Sequence, residues 1–154
     1  MTPRALKQLF FGGAGIAFAL SYSVSDVASR MIVARQSFSD AVGDHLDMAL
    51  IPPLLTLALA VPFAALAWLS YLLGCRNAVK RGIALLSLPS VVLAYFYYWG
   101  LHGQQQALLQ EQWTAAALSV GLLPFFVGIP IVLCALGVYF VVKPRAAAHV
   151  HGGA

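Results

Sequence analysis

Uncharged stretches are the clearest feature of this sequence. Asp, Glu, Lys and Arg are absent from one run of 18 residues and from three runs of 28 residues or more, which are residues 8–25, 48–75, 82–110 and 112–142. A helix of about 20 predominantly apolar residues crosses the hydrocarbon core of a bilayer. The pattern therefore predicts four transmembrane helices, over approximately residues 9–30, 51–74, 82–101 and 114–142.

The predicted fold class is an all-α integral membrane protein in which four transmembrane helices form an antiparallel bundle. Of the 154 residues, 61% are hydrophobic and only 9% are charged, whereas soluble domains contain about 25% charged residues. The spans, three connections and two tails account for residues 1–154, so we expect a single membrane domain in contact with membrane lipids. The net charge of +4 does not indicate nucleic-acid binding, because the basic residues lie at helix ends.

The distribution of basic residues predicts the orientation of the bundle. The first and third connections contain two basic residues, Arg30 and Arg35. The tails and the second connection contain seven, namely Arg4, Lys7, Arg76, Lys80, Arg81, Lys143 and Arg145. Lys and Arg in short loops remain on the cytoplasmic side. Both termini are therefore predicted to be cytoplasmic, in a multi-pass protein of the cell (inner) membrane.

The N-terminal segment also has features of a secretory signal peptide. Arg4 and Lys7 precede an apolar segment, and Ala17 and Ala19 form a cleavage-like site. Glycines interrupt that apolar segment, which favours its retention as the first span. Cleavage is the alternative that the sequence leaves open.

Small residues recur at every fourth position along the first span, at Gly13, Ala17, Ser21, Ser25 and Ser29. Such a ridge lets two helix backbones approach closely, and its serines can donate hydrogen bonds across the contact. We expect the ridge to pack within the bundle. A dimer seam is the alternative, because the same spacing also drives association between chains.

The fourth span combines helix-breaking residues in an unusually long apolar segment. Gly121, Pro124, Gly128 and Pro130 fall within ten residues. A kinked or broken fourth helix is therefore predicted. Broken helices expose backbone groups that transporters use for ion sites, so a transport function is one alternative.

Asp26 and Arg30 are ionisable residues near the outer end of the first span, and their i, i+4 spacing with the acid first favours a helical ion pair. At about 1.5 Å of rise per residue, Asp26 lies roughly 25 Å along this span, near its outer boundary. We expect a partly hydrated structural pair. A proton or cation site is the alternative, because charges at membrane depth are often functional.

Residues 36–48 are predicted to form a short helix at the outer surface, with Ser37 and Asp40 in a capping pattern. Its apolar positions, Phe38, Val42 and Leu46, are predicted to face the membrane. Its polar face carries Asp40, Asp44 and Asp47, with His45 as a possible further ligand. Hard divalent cations prefer carboxylate oxygens, so a weak metal site is conceivable here; a solvated acidic face is the preferred interpretation.

Aromatic side chains cluster near the end of the third span, at Tyr95, Tyr97, Tyr98 and Trp99, close to His102. We expect them to anchor the helix at the membrane surface, where amphipathic rings are favoured. A lipid or quinone headgroup site is the weaker alternative. A bis-histidine haem held by His45 and His102 is a further alternative, although no cofactor is expected.

Three functions from different classes follow. The preferred one is a non-catalytic accessory or structural subunit that packs against other membrane-protein subunits or against itself. The second is a small oligomeric transporter or channel that uses Asp26 and the fourth helix. The third is a membrane enzyme that handles a lipid or quinone. Without a convergent catalytic motif, an enzyme is the less favoured class.

Overall fold

The computed structural model of the protein describes residues 2–50 and 53–143, and almost all of these residues are helical. The α-helices are α1 (Pro3–Lys7), α2 (Gly13–Ile32), α3 (Phe38–Leu50), α4 (Pro53–Cys75), α5 (Val79–Leu109), α6 (Trp113–Gly121) and α7 (Ile129–Val142). Two five-residue π-helices also form, Gln8–Gly12 between α1 and α2, and Pro124–Gly128 between α6 and α7.

Within the described residues, four helical segments are long and apolar enough to cross a membrane. They are Pro3–Ile32, Leu54–Cys75, Val79–Leu109 and Trp113–Val142, and we number them as the first to fourth spans. The predicted all-α fold, with four helices long and apolar enough to span a membrane, is thereby confirmed. The first span begins earlier than predicted, because Thr2 caps α1 (Ala5 N to Thr2 Oγ1, 3.3 Å) and Pro3 occupies its first turn. The predicted start of the second span, at residue 51, lies outside the described residues.

Phe10 fixes the relation of the first three spans. Its ring fills the space beside Gly82, and Gly13 lies one turn further on against Leu86. Residues further along the first span therefore contact residues further along the third span, so these two spans are parallel. Phe10 also packs against Gly74, while Phe18 contacts Phe63 with ring centroids 5.6 Å apart. The second span is therefore antiparallel to the first.

The fourth span completes an up-down-up-down arrangement. Arg81 at the start of the third span reaches Val142 at the end of the fourth, with Nη1 2.8 Å from the carbonyl oxygen. At the other end of these spans, Gly100 packs against Leu123. The bundle thus has one end where α1 and the α4–α5 turn meet, which we call the α1 end, and one where α3 lies, the α3 end.

The core lies around the second span. Half of that span's most apolar 18-residue stretch (50%) is buried, against 17% for the fourth span. Its inner side chains include Leu59, Phe63 and Leu66. Tyr97 joins them, since its ring contacts Phe63 at 5.7 Å and its hydroxyl donates to the Leu59 carbonyl oxygen at 2.6 Å. A buried phenol needs such a partner.

Candidate functional site

The short helix α3 folds back onto the end of α2. Arg35 adopts a left-handed backbone conformation (φ 54°) after α2 ends, which reverses the chain within a few residues. Ser37 then caps α3, because its Oγ lies 3.3 Å from the Asp40 backbone N–H and donates to the Asp40 carboxylate. The helix predicted over residues 36–48 is therefore present, from Phe38 to Leu50, with Ser37 as its cap.

Asp26 is the centre of a hydrogen-bonded group that we call the α3-end cluster, formed by Ser23, Asp26, Arg30, Asp44 and His45. The Asp26 carboxylate oxygen Oδ2 accepts from Arg30 Nε at 2.9 Å and from His45 Nδ1 at 3.0 Å. The predicted ion pair with Arg30 is therefore present. The expectation of a partly hydrated pair is wrong: Asp26 is only 1% exposed, and His45 of α3 lies against it.

His45 connects the carboxylate to a hydroxyl group. In the neutral tautomer that carries its proton on Nδ1, the imidazole donates to the Asp26 carboxylate and Nε2 is left as an acceptor. Nε2 lies 3.0 Å from Ser23 Oγ, which therefore donates to it. The Tyr22 ring lies beside the imidazole at a tilt of 55°, with centroids 5.2 Å apart. The order of groups is hydroxyl, imidazole, carboxylate.

The opposite side of the cluster is more exposed. Arg30 Nη1 lies 3.2 Å from Asp44 Oδ2, which also accepts from Gln36 Nε2 at 2.9 Å. The Asp44 side chain is 50% exposed, whereas that of Arg30 is 7% exposed. Arg30 thus links a buried carboxylate to one that water reaches.

The hydrogen bonds to the Asp26 carboxylate involve one of its two oxygens, Oδ2. Within the described residues, Oδ1 is buried without a hydrogen-bond partner, as is Ser29 Oγ one turn further along α2. A buried charge costs free energy unless it is paired and hydrogen-bonded. The pairing with Arg30 and His45 therefore provides the compensation, and all of it acts through Oδ2.

The residues predicted as metal ligands are not brought together. Asp40 bonds Ser37, Asp44 bonds Arg30, and His45 turns inward to Asp26, while Asp47 is exposed. The described part of the chain contains no group of three or more His, Cys, Asp and Glu side chains that could hold a metal ion.

The apolar face of α3 follows the predicted pattern in part. Phe38 and Leu46 are exposed, as expected for side chains that face lipid, whereas Val42 is half-buried. Ala41 and His45, four residues apart, form the face that packs onto the bundle. His45 therefore belongs to the buried face of α3.

The aromatic cluster of the third span divides into two groups. Tyr95, Tyr98, Trp99 and His102 contact one another, with centroid distances such as 5.7 Å from Tyr98 to His102 and 5.8 Å from Trp99 to His102. Tyr97 is instead fully buried, so its predicted place at the membrane surface is wrong. His102 Nε2 lies 3.3 Å from Gln106 Nε2.

The two histidines proposed as haem ligands have different surroundings. Both ring nitrogens of His45 have partners inside the α3-end cluster, so axial ligation would break one of those bonds. His102 instead contacts the rings of its own helix neighbours, tilted against Tyr98 and edge-on to Trp99.

The ridge of small residues lies inside the bundle. Gly13 faces Leu86 of the third span, Ser25 and Ser29 are buried, and Ala17 and Ser21 are half-buried. The Ser21 hydroxyl donates to the Ala17 carbonyl oxygen at 2.6 Å, within its own helix. These contacts favour packing within the chain.

Comparison with protein-family models, with curated proteins and with solved structures gave no match.

Proposed function

We propose that the chain is a multi-pass protein of the cell (inner) membrane, with both termini in the cytoplasm and the α3 end outside. The seven-to-two distribution of basic residues supports this orientation. The acidic residues are distributed in the opposite sense, because all five lie in α2 or in the first and third connections: Asp26, Asp40, Asp44, Asp47 and Glu111.

The native Cys75 provides a test of this orientation, since it is exposed at the α1 end. In a Cys134→Ala background, a membrane-impermeant maleimide should label Cys75 only after cells are permeabilised. With Cys75→Ser and Gln110→Cys added, labelling should occur in intact cells. The reverse pattern would show that the bundle is inverted.

We further propose that the protein is an accessory subunit that packs against a partner membrane helix. The supporting observation is a groove of about 260 Å³ between the second and fourth spans. Ala58 and Ala65 line it together with Gly128, and the Pro62 ring packs directly against Gly128. Small side chains at such a surface allow a second backbone to approach closely.

The shape of the fourth span fits this role. Its π-helix interrupts the α-helical hydrogen bonding, and Pro124 and Pro130 both lack an N–H group. We propose that the span bends there, which opens the groove beside Gly128. A partner helix with a bulky apolar side chain would fill it and cover the least buried of the four spans.

Site-specific cross-linking in native membranes tests the subunit proposal. Val61 lines the groove and is 61% exposed, whereas Leu20 on the first span is 59% exposed and lies outside it. In a background without native cysteines, a photoreactive thiol reagent at Val61→Cys should yield a discrete polypeptide adduct. Leu20→Cys should yield mainly lipid adducts. Equal adducts from both positions, or only lipid adducts, would contradict the proposal, and mass spectrometry distinguishes a second copy from another protein.

A second candidate function is hydrolysis of an acyl ester at the membrane surface, and the Ser23–His45–Asp26 geometry favours it. In serine hydrolases the histidine Nε2 takes the serine proton while a carboxylate on Nδ1 orients the ring. The same atoms meet here at 3.0 Å and 3.0 Å. This function ranks second because Ser23 lies within α2, whose backbone N–H groups already donate inside the helix, whereas hydrolases aim free donors at the oxyanion.

A fluorophosphonate probe tests this candidate directly, because it reacts covalently with activated serines. Membranes with the native protein should be labelled, and both Ser23→Ala and His45→Gln should abolish labelling. Ser21→Ala is the matched control, since Ser21 bonds only its own helix. Absent labelling, or labelling that survives Ser23→Ala, would exclude Ser23 as a nucleophile.

A further inference from the structure

The α1 end of the bundle carries cations without nearby acids. The basic residues described there are Arg4, Lys7, Arg76, Lys80, Arg81 and Lys143, and five of them are exposed. All the acidic residues of the chain belong to the segments at the other end. The salt bridges found among the described residues are likewise all at the α3 end. The cations of the α1 end are therefore not neutralised within the described chain.

An apolar groove opens at this end, between α5 and α7. Its volume is about 540 Å³, within the range of about 300–1,000 Å³ that is usual for ligand clefts. Ala84, Leu88, Pro89, Pro130 and Cys134 are among its lining residues, and Arg81 is the charged residue of that lining. We call it the Arg81 groove.

Arg81 is held at the mouth of the groove. Its Nη1 donates to the carbonyl oxygen of Val142 at 2.8 Å, the last residue of α7. This bond fixes the guanidinium beside the groove while the side chain stays exposed. Lys80 and Arg81 also line an adjoining concavity of about 450 Å³, and Lys143 follows Val142 directly. Arg81 is thus the cation at the mouth, with Lys80 next to it in the chain, whereas the Lys143 ammonium lies over the Phe140 ring, 4.6 Å from the ring centroid.

We propose that the Arg81 groove binds an anionic phospholipid of the adjacent leaflet, with one acyl chain in the groove and the headgroup phosphate on Arg81. Arginine matches a phosphate with paired N–H donors. Basic sites between transmembrane helices bind such headgroups when an apolar surface receives the chains. A partner helix would instead have to bring its own acid to Arg81, because the acidic residues of this chain lie in the segments at the other end. This inference is independent of the subunit role proposed above.

Native mass spectrometry of the detergent-purified protein provides the test, with phosphatidylglycerol or phosphatidylcholine of identical acyl chains added in turn. The native protein should bind phosphatidylglycerol more tightly. Arg81→Gln should reduce that affinity roughly fivefold and reduce phosphatidylcholine binding less, because the choline ammonium offsets the charge of the phosphate that Arg81 contacts. Arg4→Gln, which removes one exposed cation from the same end but away from the groove, is the matched control and should change little.

Filling the groove tests the acyl-chain part of the proposal. Ala84→Trp should weaken binding of both lipids, whereas Ala19→Trp, at an exposed position on the first span, should not.

Arg81→Lys keeps the charge but loses the paired donors, so the affinity of this variant for phosphatidylglycerol should be intermediate. The same variant replaces Arg81→Gln in the test if Arg81→Gln folds poorly. Equal effects of Arg81→Gln and Arg4→Gln would overturn the proposal in favour of diffuse attraction. Unchanged binding in Ala84→Trp, or loss of a co-purifying polypeptide from it, would also overturn it.

Discussion

The two ends of the bundle differ in how their charged side chains are buried and paired. At the α3 end, Asp26 and Arg30 are 1% and 6% exposed and bond to each other under the cover of α3. At the α1 end the cations are mostly exposed, and the chain is held instead by Phe10, which is fully buried against Gly74 and Gly82. One end depends on electrostatic pairing and the other on steric fit.

This difference determines whether the charged residues of each end stabilise the fold or remain available to bind a ligand. Arg30 and Asp26 of α2 bond to each other and to residues of α3, so their charges are largely neutralised within the protein. Arg81 bonds a backbone carbonyl and keeps its charge for an external anion. We therefore expect substitutions of charged residues to affect folding at the α3 end and ligand binding at the α1 end.

The largest effect should come from Asp26→Asn. Removing one partner of a buried ion pair leaves an uncompensated charge and costs about 3–5 kcal/mol. Here Arg30 would lose its buried carboxylate partner and keep the half-exposed Asp44, so the free energy of unfolding should fall by about 3 kcal/mol. Unfolding in mixed micelles, followed by tryptophan fluorescence, measures it. Asp47→Asn is the control, because Asp47 is exposed.

The charge reversal Asp26→Arg with Arg30→Asp sharpens this result. For an isolated pair on a helix, the sequence predicts that the swap largely preserves folding. The structure predicts no rescue, because His45 Nδ1 would then face a guanidinium instead of a carboxylate. A double variant as stable as the native protein, or a loss below about 1 kcal/mol in Asp26→Asn, would show that the α3 end is as tolerant of charge changes as the α1 end.

The features predicted from sequence are those that depend on local spacing. The four spans follow from uncharged runs, because a bilayer requires continuous apolar helices. The bond between Asp26 and Arg30 follows from their i, i+4 spacing. Ser23 and His45 are 22 residues apart and meet only because the chain reverses at Arg35. No local pattern predicts that contact.

Tyr97 is a different case, because the signal was in the sequence. Leu93, Tyr97 and Leu101 recur at every fourth position and are all buried, which is the pattern of one inward helix face. Tyr95 and Trp99 also stand four apart and are exposed. Tyr97 therefore lies on the inward face of the helix, and Tyr95 and Trp99 lie on its outward face, although the three rings are close together in the sequence.

A smaller effect is expected from Gly82→Ala, which tests the steric fit of the α1 end. A Cβ at this position would lie 2.7 Å from the Ser70 carbonyl oxygen and 2.9 Å from the Phe10 ring. Overpacking of this kind costs about 1–3 kcal/mol. Gly103→Ala is the matched control on the same helix, since nothing lies within 4 Å of its Cβ position. It should be neutral or slightly stabilising, because alanine favours helix.

Unfolding in mixed micelles also measures this pair of variants. Equal stabilities of Gly82→Ala and Gly103→Ala would show that Phe10 and Ser70 move apart without loss. Close packing would then not distinguish the α1 end, and the comparison between the ends would rest on charge alone.

The smallest effect should come from Asp44→Asn, within the α3-end cluster itself. Asp44 contacts the same guanidinium as Asp26, but its side chain is 50% exposed and Asp26's is 2% exposed. Water screens an exposed pair, so its loss should cost at most about 1 kcal/mol. Raising the ionic strength should reduce that cost further, since salt screens exposed charges more than buried ones. The loss in Asp26→Asn should change little with salt. Equal, salt-sensitive losses in the two variants would mean that α3 does not seal Asp26 from water, and burial would then not explain the contrast between the two ends.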